Sequence, residues 1–217
     1  ILENMENYFE IMSETERKDW FSIYVNNITL AYDPHSNYLA PDDKERFDTN
    51  ISGKFEGIGA RLQKKDQEVK ITEVIVGGPV WKAKALKVGD IILKVAQKNE
   101  APVEIGPMRL GDAVKLIKGP KGTEVFLTVK RVSGIIEQVI IIRDVVELDE
   151  SYAKSTIIKK NNKSYGFIEL PKFYIDFKDK KSRNAASDVK KEIELLKKNN
   201  VKGIILDLRN NGGGSLK

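Results

Sequence analysis

The sequence predicts an α+β chain in three parts. Three observations carry this. The opening residues space their apolar side chains as a helix does, the middle alternates short strand-like runs with glycine turns, and the last third reads strand, helix, strand. The boundaries fall at residues 1–50, 51–147 and 148–217.

Residues 1–32 read as helical. Ser13 with Glu16 fits a capping box ahead of an apolar run. Trp20, Tyr24, Asn27, Ile28 and Ala31 then fall on one stripe. DPHSNYLAP breaks the pattern with Pro34 and Pro41. His35 sits in that break, and a hydrogen-bonded turn histidine explains it better than a catalytic one.

In the middle part, residues 55–62 and 69–76 read as strands, Gly77-Gly78-Pro79 as a turn and 80–86 as a short helix. Gly89-Asp90 turns into a strand over 91–95. Leu110, Ala113, Val114 and Ile117 have the i, i+3, i+4, i+7 spacing of a helix face, and Gly119-Pro120 stops that helix. Residues 123–132 and 135–142 pair as a hairpin across Ser133-Gly134.

In the last part, strands over 155–159 and 165–170 flank the turn signal Asn161-Asn162. Ser187 can cap a helix whose Val189, Ile193 and Leu196 share one face, and a strand over 203–208 follows. The long connection predicts a βαβ crossover and a parallel pair, which needs cover on both faces. The run 201–208 therefore reads as a buried strand that ends in Asp207 and Arg209 and then a glycine loop. A domain begun this way is expected to be incomplete at Lys217, and Ile1 is not a natural start.

Composition excludes several chemistries. With no cysteine there is no disulfide, thiol nucleophile or cysteine-held metal, and one histidine cannot build a multi-histidine metal site. The formal net charge is +5, but lysines alternate with acids, as in ETERKD and DVKKEIE. That is a solvated surface rather than a nucleic-acid stripe. No apolar run reaches the roughly 18 residues of a transmembrane span, and no secretion signal opens the chain.

Two glycine motifs bear on function. In FEGIGARL, Gly57-Ile58-Gly59-Ala60 can turn successive N–H groups into one hollow, a nest whose natural guest is an anion such as a peptide's terminal carboxylate. The edge of the following strand could pair with that peptide. Leu116 lies off the helix stripe and is free to face the groove. On the residues alone, an ordinary turn remains open. In LDLRNNGGGSL, the Walker pattern fails because Gly214 precedes Ser-Leu-Lys, and three consecutive glycines do not match a dinucleotide loop. Such a loop can instead aim N–H groups at an oxyanion, each worth about 3 kcal/mol in the transition state. A tight turn with positive φ is the other reading.

The order of middle elements, with GIGA, VGGPVWKAKALKVGDIILKV and DAVKLIKGPKGTEVFLTVKR, resembles a bacterial-type PDZ domain, a partly open β-barrel with two helices. The resemblance implies a peptide site of Gly57, Ile58, Gly59, Ala60, Leu62, Ala113 and Leu116, with the amides of residues 58–60 on the carboxylate and Lys54 helping to neutralise it. FDTNISGKFEGIGARL, YGFIELPKFY, GIILDLRNNGGGSL and AYDPHSNYLAP are similar to the C-terminal processing, or tail-specific, serine proteases, the last to their periplasmic branch. The likeness runs from about Tyr8 to Leu216.

It implies an endopeptidase that takes the carboxyl-terminal tails of proteins, works in the periplasm and needs no metal or organic cofactor. A neutral lysine would take the proton of a nucleophilic serine. Burial makes that plausible by lowering the lysine pKa. Gly213 and Gly214 match the family's oxyanion loop, and Asp207 and Arg209 its strand-end charged pair. The family's serine and lysine lie after that loop. No serine before Lys217 matches the nucleophile, and Ser215 occupies a variable position, so this chain is expected to be inactive by itself. The alternative is a stand-alone PDZ peptide-binding scaffold.

Overall fold

A computed structural model describes residues 5, 8, 9, 12–179 and 181–215. The chain divides into two units, Ile1–Asp48 and Thr49–Lys217. In the first, helix α1 (Arg17–Tyr32) starts one turn after the predicted cap. Thr15 N–H closes back on Met12 C=O at 3.2 Å, which breaks the chain before Glu16. Glu16 then caps, its N–H donating to the Asp19 carboxylate at 2.9 Å. Glu16 is thus the cap and not the third helical residue. After α1, Asn26 clamps the turn: its amide donates to Tyr38 C=O at 3.1 Å and accepts from Tyr38 N–H at 2.7 Å. His35 is a turn histidine, its N–H and ring both directed at Asp33 and its side chain 90% exposed. The stripe through Trp20 and Tyr24 is not core, for α1 buries none of its residues. Helix α2 (Pro41–Ser52) follows, with proline where a helix start tolerates it.

The second unit opens with a split. The single strand predicted over 55–62 is two strands, β1 (Lys54–Gly57) and β2 (Ala60–Lys65). Gly59 turns the chain with φ +80, a conformation costly for any residue with a Cβ. β1 pairs antiparallel with β8 (Asp144–Glu147), while β2 joins a different sheet. That sheet runs β2, β3 (Glu68–Val74), β4 (Ile91–Gln97), β6 (Glu124–Lys130), β7 (Ile136–Ile142), with short β5 (Val103–Glu104) also on β4. Helices α3 (Pro79–Ala83) and α4 (Leu110–Ile117) complete this part. The alternation in β6 buries Val125, Leu127 and Val129. They meet Val69, Ile71, Ile92 and Val95 from the sheet, Val80 of α3, and Ala113 and Ile117 of α4 in one cluster.

β9 (Lys154–Lys160) and β10 (Lys163–Glu169) form the predicted hairpin, with Asn161 and Asn162 both left-handed at φ 51 and 56. Helix α5 (Ala185–Lys198) carries the chain to β11 (Ile204–Asp207), which pairs parallel with β10. The predicted cap moves here too. Asn184 is the cap and Ser187 the third helical residue, joined by reciprocal bonds of 2.9 and 3.3 Å. Leu196 packs onto bare Gly166, where a Cβ would lie 2.5 Å from its Cδ1. β11 is not buried as expected: it is the edge of a three-stranded sheet, and Ile205 and Leu206, on opposite faces, are 52% and 47% exposed.

A buried polar cluster joins the strand-rich part to the βαβ part. Tyr152 and Tyr174 meet edge to face at 5.0 Å, and Tyr152 O–H donates to Gly53 C=O at 3.1 Å. Tyr174 O–H and Arg183 Nε both donate to Asp188 Oδ2 at 2.7 Å, and Arg183 stacks on Tyr152 at 3.8 Å. Burial pushes the Tyr174 hydroxyl up to about 12, so it stays a donor. Burial also pushes Asp188 up, but hydrogen bonds from Tyr174, Arg183 and Lys191 outweigh it and hold the carboxyl below its usual range. A depressed folded pKa stabilises above the unfolded value and stops doing so as pH falls through the folded one. Asp188→Asn is therefore expected to cost roughly 2 kcal/mol at pH 7, with the gap to the parent chain closing below about pH 4. Urea unfolding at pH 7 and pH 3 checks this; a gap that widens in acid contradicts it.

Candidate peptide groove and glycine loop

The open edge of β2 follows from hairpin geometry. Asp66 and Gln67, both at positive φ, form a two-residue turn that makes Lys65 and Glu68 a hydrogen-bonded pair. Backbone direction alternates from there, so Gln63 and Arg61 point at β3 while Lys64, Leu62 and Ala60 point the other way. The bulge that leaves Thr72 unpaired lies on β3 and does not disturb the alternation along β2. At the far end, Ile75 N–H donates to Gly59 C=O at 2.9 Å, which agrees with the same phase. Among the described residues β2 has a strand partner on one side only, and α4 packs beside it. The same three residues are the half-buried ones of β2. Ala60, Leu62 and Lys64 thus offer backbone N–H and C=O at the free edge while their side chains share one face.

The first glycine motif closes one end of this edge. Ile58 C=O accepts from Val80 N–H at 2.9 Å, and Gly59 C=O from Ile75 N–H. In a trans peptide the N–H lies opposite the C=O. The N–H groups of Gly59 and Ala60 therefore turn away from α3 and β3. A Cβ on Gly59 would come 3.0 Å from Gly78 Cα, so this position is closed to side chains. Gly57 is buried at the end of β1. Ile58 and Ala113 are 3% and 0% exposed and form a floor. Ala60, Leu62 and Leu116 are the half-buried side chains above it. Leu116 also enters the wall of a cavity of about 670 Å³ beside the end of α4.

Lys54 departs from the sequence reading. Its Nζ lies 2.6 Å from Asp176 and 2.6 Å from Ser182, in the segment after β10. The turn at Gly59 separates β1 from β2, so Lys54 stands on the other sheet with its Nζ engaged by Asp176 and Ser182.

Residues after β11 form a pinned loop. Asp207 is held down to about 2, first by the Arg209 guanidinium at 2.7–2.8 Å and then by Arg209 N–H. Asn211 donates from Nδ2 to Leu170 C=O and accepts at Oδ1 from Gly213 N–H, both at 2.8 Å. Phe173 N–H donates to Gly213 C=O at 2.9 Å, and Ser215 N–H to Phe173 C=O at 2.8 Å. Sequence reasoning passed over Asn211. Its signal is an asparagine two residues before a glycine, where a short amide can bond forward to the backbone.

Three family profiles match in succession: tail specific protease N-terminal domain over residues 1–42, PDZ domain over 48–130 and peptidase family S41 over 164–217. The tail-specific protease of Haemophilus influenzae is 35% identical over 206 residues, 94% of this chain. The chain belongs to the tail-specific, C-terminal processing proteases of family S41. Another member, the carboxy-terminal processing protease CtpA of Bacillus subtilis, is 36% identical over 182 residues, 84% of the chain. The chain spans 28% and 35% of the lengths of these two relatives. The solved PDZ domain of a Vibrio cholerae carboxy-terminal protease, in complex with peptide, is 41% identical and covers 44% of this chain and 99% of that one, with a TM-score of 0.42. Among the described residues no helix is long and apolar enough to cross a membrane, and no cluster of three or more histidine or acidic side chains could hold a metal.

Proposed function

We propose that this chain is the tail-recognising portion of a periplasmic serine endopeptidase that processes proteins at their carboxyl ends. The observation that carries the reading is the free edge of β2 beside α4, closed at one end by outward N–H groups of Gly59 and Ala60. A peptide tail adds as a strand to Ala60, Leu62 and Lys64, and its carboxylate enters the glycine nest. The last side chain sits against Ala60, Leu62 and Leu116, over Ile58 and Ala113. Residues 51–147 hold this groove, 1–50 a helical lead and 148–217 the start of the protease core.

A labelled peptide with a free apolar carboxyl end is expected to bind in the micromolar range, about −8 kcal/mol. Its amide should bind at least tenfold more weakly, and Leu62→Ser should weaken the acid similarly. Equal binding of acid and amide removes the nest from the reading.

The peptide-cutting serine and lysine of the parent lie outside this chain. Among the described residues Lys54 Nζ does meet a serine, Ser182 Oγ at 2.6 Å, but it is also ion-paired with Asp176 at 2.6 Å, which is not the unpaired lysine that a general base requires. The 217-residue chain is expected to show no peptidase activity. Activity in a clean preparation that Ser215→Ala abolishes would overturn this.

A further inference from the structure

We propose that Asn211 is the positioning residue of the glycine loop, its side chain fixing the direction in which Gly214 N–H points. The inference rests on the proteolytic reading above. Of three successive N–H groups, two are spent within the loop: Gly213 on Asn211 Oδ1 and Ser215 on Phe173 C=O. Phe173 bonds the residues on either side of Gly214, as in a parallel bridge, so Gly214 turns its own N–H and C=O to the opposite side. Of these three groups, that of Gly214 is the one turned outward, and its direction is set by what grips Gly213.

Asn211 supplies that grip. Its side chain spends a donor on Leu170 C=O, just past β10, and an acceptor on Gly213 N–H. Its backbone N–H closes on Leu208 C=O at 3.0 Å. One side chain thus ties the end of β10 to the loop that leaves β11. Three consecutive glycines would otherwise sample far more backbone conformations than other residues. An N–H that must meet developing charge has to be oriented before the reaction, since reorganisation forfeits most of its value. The double tie is what a positioning role requires.

The test uses the full-length parent enzyme and a protein substrate with a free apolar tail. Asn211→Ala is expected to lower kcat about 100-fold, the size of losing an oriented oxyanion donor, with KM and tail-peptide affinity within twofold. Asn211→Asp keeps an acceptor for Gly213 but loses the donor to Leu170, and is expected to fall between the two. Should Asn211→Ala fail to fold, seen as lost tail binding, the aspartate variant decides alone: reduced kcat at unchanged KM supports the role. A folded variant that keeps wild-type kcat within twofold overturns the inference and leaves the proteolytic reading standing. A parent that binds tails but cuts nothing overturns both.

Discussion

Arg143→Met is expected to cost about 3–5 kcal/mol, enough to unfold much of the population of a marginal domain. Arg143 is 3% exposed, and all five of its N–H donors are used. Nε donates to Ile117 C=O at 2.9 Å, Nη1 to Thr123 Oγ1 and Glu124 C=O at 2.9 and 3.1 Å, and Nη2 to Gln97 Oε1 and Leu116 C=O at 2.8 and 3.0 Å. None of the five acceptors is a carboxylate. Burial lowers the Arg143 pKa, yet a guanidinium stays charged in proteins. The cation is balanced by carbonyls at the end of α4, the negative pole of that helix. Methionine would fill the volume and take the donor from the buried Ile117 C=O and the half-buried Glu124 C=O, each loss costing about 1–3 kcal/mol, while Leu116 C=O keeps its bond from Gln97 Nε2. Arg143→Lys should do little better, because one ammonium cannot reach five acceptors in a plane. Because Leu116 is one of the residues gripped, tail affinity should fall along with stability. Guanidinium denaturation reads the first effect and peptide titration the second; a loss under about 1 kcal/mol would show that the fork carries little.

The other large effect is expected at Gly214. An alanine there would place Cβ 2.2 Å from Phe173 O, at a backbone φ of +139 that side chains rarely adopt. The obstacle is backbone, so it cannot rotate aside, and the bridge to Phe173 must open. In the full-length parent, Gly214→Ala is expected to reduce kcat by at least about 100-fold while tail binding persists. Gly212→Ala is the control for stability, since nothing lies within 4 Å of its Cβ and its φ is ordinary. It should fold like the parent chain. Wild-type kcat in a folded Gly214→Ala variant would show that the loop is only a turn.

The two displaced caps have a common cause. In a capping pair both members are polar and three residues apart, so Ser13–Glu16 and Glu16–Asp19 look equally fit, as do Ser187 alone and Asn184–Ser187. What chooses between them is where the preceding chain breaks, and that depends on bonds such as Thr15 to Met12. Lys54 misled for a related reason: it is four residues from Ile58 in sequence but belongs to the β1–β8 ribbon.

Periodicity and turn chemistry placed nearly every strand and helix of the second unit, the parallel βαβ crossover and the two glycine loops, because alternation and i, i+3, i+4 spacing are local properties written along the chain. The likeness of separated motifs in order supplied the family. Three things were out of reach of that reading. Gly59 divides one apparent strand between two sheets. Ala60, Leu62 and Lys64 are the residues whose backbone meets the open edge. Arg143, in the run IIIRDVV, looks like one more charge yet holds five acceptors from three segments. Each depends on the sign of a φ angle, a register or a partner distant in sequence, and those are settled only when strands pair and carbonyls must find donors.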